Sequence, residues 1–146
     1  MSEKNHIVCV ACGAVNATAA ERDTREAKCG KCAAPLFTGK PADVDQARFE
    51  RQIERSDIPV LVDVWAPWCG PCRQMTPMFE RAAAELEPSV RFIKLNADEA
   101  PDVSARFGIR GIPTLLLLRR GKLLAQSAGV MDTNSIVRWT RQHAGL

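Results

Sequence analysis

The chain has 146 residues, enough for one ordinary domain with a hydrophobic core and a small appendage, but not for two full-sized domains. A hydrophobic share of 46% against 25% charge is that of a globular protein, and no stretch approaches the ~20 apolar residues of a membrane span. Twenty basic and 17 acidic residues leave a net charge of +3, too balanced for a phosphate-binding field, so neither nucleic acid nor a membrane is an expected partner.

Met1 to Val8 contains no apolar core of a secretory signal, and the expected compartment is the cytoplasm. A reducing compartment favours metal-binding or catalytic cysteine over structural disulfides. The first motif fits that expectation: Cys9 and Cys12 are followed, after 16 intervening residues, by Cys29 and Cys32. Two CxxC pairs at this separation match a zinc ribbon, and four thiolates close a tetrahedral site with no open position for chemistry. Glycines 13 and 30 suit the tight turns that such knuckles need, and Ile7 to Phe37 holds few large apolar side chains, so the metal stands in for a core. One structural zinc is expected, although iron also accepts four thiolates, and two disulfides or idle thiols are the plain alternative. His6 is expected to face solvent.

Turn formers at Thr38 to Ala42 place a boundary near residues 39–43, dividing the chain into a ribbon-like domain, 1–40, and a second domain, 41–146. Asp43 to Arg55 sets Val44, Phe49 and Ile53 among charges and predicts a short amphipathic helix. Pro59 to Ala66 is almost continuously apolar and predicts a central strand buried on both faces. Gly70 to Glu87 carries Met75, Met78, Phe79, Ala82, Ala83 and Leu86 on one helical stripe, with Pro77 expected to kink it. A strand at 90–96, a short helix near 102–107, strands at 114–118 and 123–127 joined by a hairpin, and a capped helix from Asp132 complete the order βαβα then ββα. The fold class is α/β, a mixed sheet flanked by helices; the doubled N-terminal CxxC is its only internal echo.

The third pair, Cys69 and Cys72, falls between the buried strand and a helix start and has no partner pair downstream. Free amides at a helix N-terminus stabilise a thiolate, so Cys69 is the expected nucleophile. Cys72, three residues on and on the same face, is the expected resolving thiol. Asp63 interrupts an apolar strand, and burial there favours its protonated form.

Trp68-Cys-Gly-Pro-Cys72 resembles the active site of the thioredoxin family, and Asp63, Pro77, Lys94-Leu-Asn96, Ile109-Arg-Gly-Ile-Pro-Thr114 and Gly129 extend the resemblance from about Val60 to the C-terminus. With the four-cysteine ribbon the chain is most similar to the zinc-binding thioredoxin 2 type of that family. The resemblance implies a thioredoxin-like fold and a protein-disulfide reductase. In it Asp63 accepts the Cys72 proton with Lys94 nearby, and Gly70-Pro71 tunes the redox potential. Ile112 and a cis Pro113 border the disulfide and pair with an extended substrate, Gly111 and Gly129 keep that surface open, and Trp68 covers the thiols. It also implies disulfide-containing protein substrates, a thioredoxin reductase as electron donor, and no organic cofactor. Two other readings remain open on sequence: the ribbon as a binding module or holdase with the second domain as scaffold, and the ribbon as a sensor that loses its metal on oxidation.

Overall fold

The computed structural model describes residues 4–146. Residues Lys4–Val8 (β1) and Val15–Ala19 (β2) pair antiparallel as a separate hairpin. Ala42–Val44 (β3), Gln46–Arg55 (α1), Val60–Trp65 (β4), Gly70–Leu86 (α2), Arg91–Asn96 (β5), Pro101–Arg106 (α3), Thr114–Arg119 (β6), Lys122–Ala128 (β7) and Thr133–Ala144 (α4) follow, with a 3₁₀ turn at Ala97–Glu99. The main sheet has the order β3-β5-β4-β6-β7; β3 and β4 run parallel to β5, while β6 is antiparallel to both β4 and β7. This is a thioredoxin-like mixed sheet with helices on both faces.

The alternation along β4 explains the layering. Val60, Val62 and Val64 point to one face and join Phe49 and Ile53 of α1, Val103 of α3, Ile93, Leu95, Leu116 and Leu118. Leu61 points to the other and joins Met75, Phe79, Ala82 and Ala83 of α2, Ile136 and Val137 of α4, Phe92, Leu115 and Leu117. Buried on both sides, β4 needs the uninterrupted apolar run that its sequence carries, with Asp63 the one exception. Local signals fix the helix starts: Asp45 and Asp132 accept the amides of Arg48 and Ser135, each at 2.8 Å, as N-caps. At the β6–β7 turn, Arg120 and Gly121 both adopt positive φ (52° and 78°), the geometry of a tight hairpin.

The structure differs from sequence expectation in two places here. Val44 is not helical: Ala42–Val44 is a three-residue edge strand pairing with Ile93 to Leu95, and the helix begins only after the Asp45 cap. Nor does the N-terminal segment lack a core. Ile7, Cys9, Ala27, Cys29, Leu36 and Phe37 are buried together with Ile58, a residue just before β4, so the segment completes its small core with a residue from beyond Phe37.

Candidate redox and metal sites

Cys69 is the N-cap residue of α2, and its Sγ accepts the Cys72 amide at 3.2 Å. A sulfur in that position meets the free amides and positive end of a 17-residue helix, which favours its thiolate over its thiol. Pro71 stands in the first turn, where its missing N–H costs nothing. Cys69 and Cys72 are joined as a disulfide with their Cα atoms 5.2 Å apart. Cys72 is fully buried and Cys69 is 5% exposed, so Cys69 is the outer cysteine of the pair.

Across from the disulfide, the Ile112 carbonyl oxygen lies 3.8 Å from Cys69 Sγ, and the Ile112–Pro113 peptide bond is cis. The loop is braced from both sides: the Thr114 hydroxyl donates to the Gly111 carbonyl at 2.6 Å, and the Gly129 amide donates to the Pro113 carbonyl at 2.9 Å. A Cβ at Gly70, Gly111 or Gly129 would meet no atom within 4 Å, so the surface around the disulfide is open there. Gly129 also has φ 101°, which L side chains rarely adopt.

Trp68 is 66% exposed, and its indole N–H donates to Asp98 Oδ2 at 2.8 Å. Trp65, beside Ile112, packs against the buried group of Ala66, Cys69 and Cys72. Asp98, in the 3₁₀ turn after β5, is a partner that sequence reasoning missed; only tertiary contact brings it to Trp68. Arg73 was also missed, and its Nη1 donates to the Pro67 carbonyl at 2.8 Å, tying the segment before the cysteines to α2.

Asp63 is completely buried, and neither carboxyl oxygen has a hydrogen-bond partner. By strand alternation it projects to the α2 face with Leu61, the face on which Cys72 lies buried. Loss of solvation raises its pKa from 3.8 to about 7 against the pull of Lys94, its register partner on β5. The Lys94 ammonium rests 4.0 Å from the centre of the Trp65 ring. The carboxyl is thus poised to gain or release a proton near neutrality.

The other four cysteines form a separate cluster. All four Sγ atoms lie within 4.8 Å of one another, with Cys9–Cys32 and Cys12–Cys29 at 3.7 Å each. A tetrahedral ion with metal–sulfur bonds of ~2.3 Å sets its ligands ~3.8 Å apart, so the cluster has the dimensions of a zinc site. The two knuckles are near copies: Cys9 N–H donates to Ala14 O and Gly13 N–H to Cys9 O, while Cys29 N–H donates to Ala34 O and Ala33 N–H to Cys29 O. The positive-φ position is the residue after the second cysteine, Gly13 (79°) and Ala33 (64°). Gly30 is therefore not the turn glycine the spacing suggested; its amide donates to Asn16 Oδ1 at 2.9 Å.

Cys29 is drawn down to about 6, chiefly by the Cys32 amide and by Asn16. Cys32, although the Ala34 amide favours its thiolate, is pushed up to about 11 by desolvation and the neighbouring thiols. Four thiols this close resist ionising together unless a cation compensates them. His6 stays outside the cluster, exposed, with Nδ1 2.8 Å from Asp57 Oδ2.

A helix-capping cysteine joined to a buried neighbour three residues on, facing a cis-proline loop above a buried acid, defines a thiol–disulfide exchange site. The thioredoxin sequence model matches residues 40–142, and the chain belongs to the thioredoxin family, as a thioredoxin-type protein disulfide oxidoreductase. It is 38% identical to thioredoxin C-3 of Corynebacterium nephridii over 136 residues, 93% of each chain, an alignment longer than the family match and therefore reaching into the N-terminal segment. It is 41% identical to a thioredoxin of Rickettsia bellii over 67% of this chain and 93% of that one. Among solved structures it resembles a point-mutant thioredoxin from Halobacterium salinarum (TM-score 0.66, 27% identity, 75% of this chain and 96% of that one). Among the described residues, no helix is long and apolar enough to cross a membrane.

Proposed function

We propose that the chain reduces disulfides in cytoplasmic proteins, with the Cys69–Cys72 pair as its electron carrier. The observation that carries this is the placement of Cys69 Sγ at the N-cap of α2, 3.2 Å from the Cys72 amide and beside the Ile112 carbonyl. In the reduced protein the Cys69 thiolate attacks one sulfur of a substrate disulfide. A mixed disulfide forms and the first substrate thiolate leaves. Asp63 accepts the Cys72 proton, and the Cys72 thiolate attacks Cys69 Sγ, releasing the second substrate thiolate and leaving the disulfide described above. Two electrons pass from protein to substrate, and a thioredoxin reductase returns them.

Each remaining residue has a role in this reading. The substrate chain lies extended along Gly111 to Pro113, against the Ile112 peptide group, with Gly129 keeping the adjacent surface clear. Trp68, held by Asp98, borders the site, Gly70 leaves the approach to Cys69 open, and Pro71 stiffens the turn between the thiols. Lys94 holds the proton affinity of Asp63 below what burial alone would give it.

The division into a ribbon-like domain at 1–40 and a thioredoxin-like domain at 41–146 is part of the same proposal. Cys9, Cys12, Cys29 and Cys32 would hold one zinc ion, which contributes folding free energy and no reaction step. Support for a structural role comes from where the ribbon docks, along α1 and against Ile58 and Arg91, at the N-terminal ends of β4 and β5. The redox pair follows the C-terminal end of β4. Reduction of an insulin-type protein disulfide by the wild type, with turnover abolished in Cys69→Ser, is the expected result; equal turnover by both proteins contradicts the proposal.

A further inference from the structure

The first knuckle of the ribbon is held by side chains from the thioredoxin-like domain. Arg51 Nε donates to the Gly13 carbonyl at 2.8 Å, and Arg48 Nη1 reaches the Val10 carbonyl at 3.5 Å. On the same helix, Gln52 Nε2 donates to the Val8 carbonyl at 3.1 Å, and from β5 Arg91 Nη2 donates to the same oxygen at 3.0 Å. These four donors therefore hold the carbonyls of residues 8, 10 and 13, which bracket Cys9 and Cys12. The second knuckle is supported from within the ribbon, by Asn16 and the Lys31 amide on Cys29.

Arg48 and Arg51 also bring charge. With Lys31 they line an open cleft of about 290 Å³ against Cys12 and Gly13, and among the described residues none of the three forms a salt bridge. Four thiolates around a divalent cation leave two net negative charges on the site. Unpaired cations beside a dianion are attracted to it, and most of all where one face is screened from water.

We propose that Arg48 and Arg51 are positioning residues for the metal: α1 supplies the outer shell of the tetrathiolate site, orienting the first knuckle through its carbonyls and compensating its charge, so that metal retention depends on the thioredoxin-like domain. This rests on the reading of the four cysteines as a metal site. Outer-shell partners of metal ligands commonly alter affinity about 10- to 100-fold.

The test uses full-length, zinc-loaded protein freed of excess metal and challenged with a chromogenic zinc chelator. Arg48→Ala/Arg51→Ala is expected to release zinc at least about tenfold faster than wild type. Arg48→Lys/Arg51→Lys, which keeps the charge and loses the guanidinium geometry, is expected to fall between the two. Arg55→Ala, which removes one positive charge from the same helix at a residue outside the contacts above, is the control and should release zinc as wild type does. Should the alanine pair not fold, the lysine pair carries the comparison. Release from both pairs within about twofold of wild type, or from Arg55→Ala as fast as from the alanine pair, overturns the inference while leaving the metal site standing. Wild-type protein that holds no zinc overturns both.

Discussion

Replacing Asp63 by asparagine gives a pH-dependent prediction with a worked sign. In the folded protein the carboxyl titrates near 7, and in the unfolded chain near its ordinary 3.8. Between those values the folded state keeps a proton that the unfolded state has lost, so raising the pH destabilises the fold. The penalty is absent below 3.8, grows through the interval, and is complete above about 7. At 1.36 kcal/mol per pH unit, the interval corresponds to about 4 kcal/mol. The asparagine side chain does not titrate, and any constant cost of burying its amide cancels when the same two proteins are compared at two pH values. The stability of Asp63→Asn relative to wild type should therefore rise by most of that ~4 kcal/mol from about pH 4 to about pH 8, measured by urea unfolding of the oxidised proteins at fixed ionic strength. Parallel stability curves across this range would refute the reasoning, since they would mean that Asp63 has the same proton affinity folded and unfolded.

Other substitutions test the packing and the knuckles. Ala33→Gly should stabilise the protein by roughly 0.5–1 kcal/mol, because Ala33 holds φ 64° in the turn where the first knuckle has glycine; thermal unfolding of the zinc-loaded protein reads it. Phe79→Ala should cost about 3–5 kcal/mol in urea unfolding, since the ring is fully buried with its centroid 4.9 Å from that of Phe92. Arg91→Ala should cost about 3 kcal/mol in the same assay: the side chain is fully buried, with its guanidinium 4.1 Å from the centre of the Phe37 ring, and it donates to Val8 of the ribbon, so truncation leaves a cavity and breaks that bond.

Much of the fold was legible from local pattern. The apolar run of β4, the stripe on α2 and the capping residues at Asp132 act over a few residues and read directly as the elements found. The two settings of the cysteines were legible for the same reason: paired knuckles 16 residues apart differ in pattern from a single pair at a strand–helix junction. What escaped depends on contacts through space. Val44 reads as the first apolar position of a helix, yet the free edge of β5 recruits it into a three-residue strand. Nothing in the local sequence marks Arg91 or Gln52 for burial, and only docking of the ribbon explains why each is buried with its donor aimed at Val8. Trp68 and Asp98 are 30 residues apart, and nothing local joins them.

The claim that the six cysteines divide between a redox pair and a metal cluster is tested most directly by counting metal and reactive thiols together on the reduced native protein. One zinc per chain with two fast-reacting thiols, both lost in Cys69→Ser/Cys72→Ser while the zinc remains, is the result this account predicts. Six fast-reacting thiols with no bound metal, or zinc that leaves with Cys69 and Cys72, would contradict it.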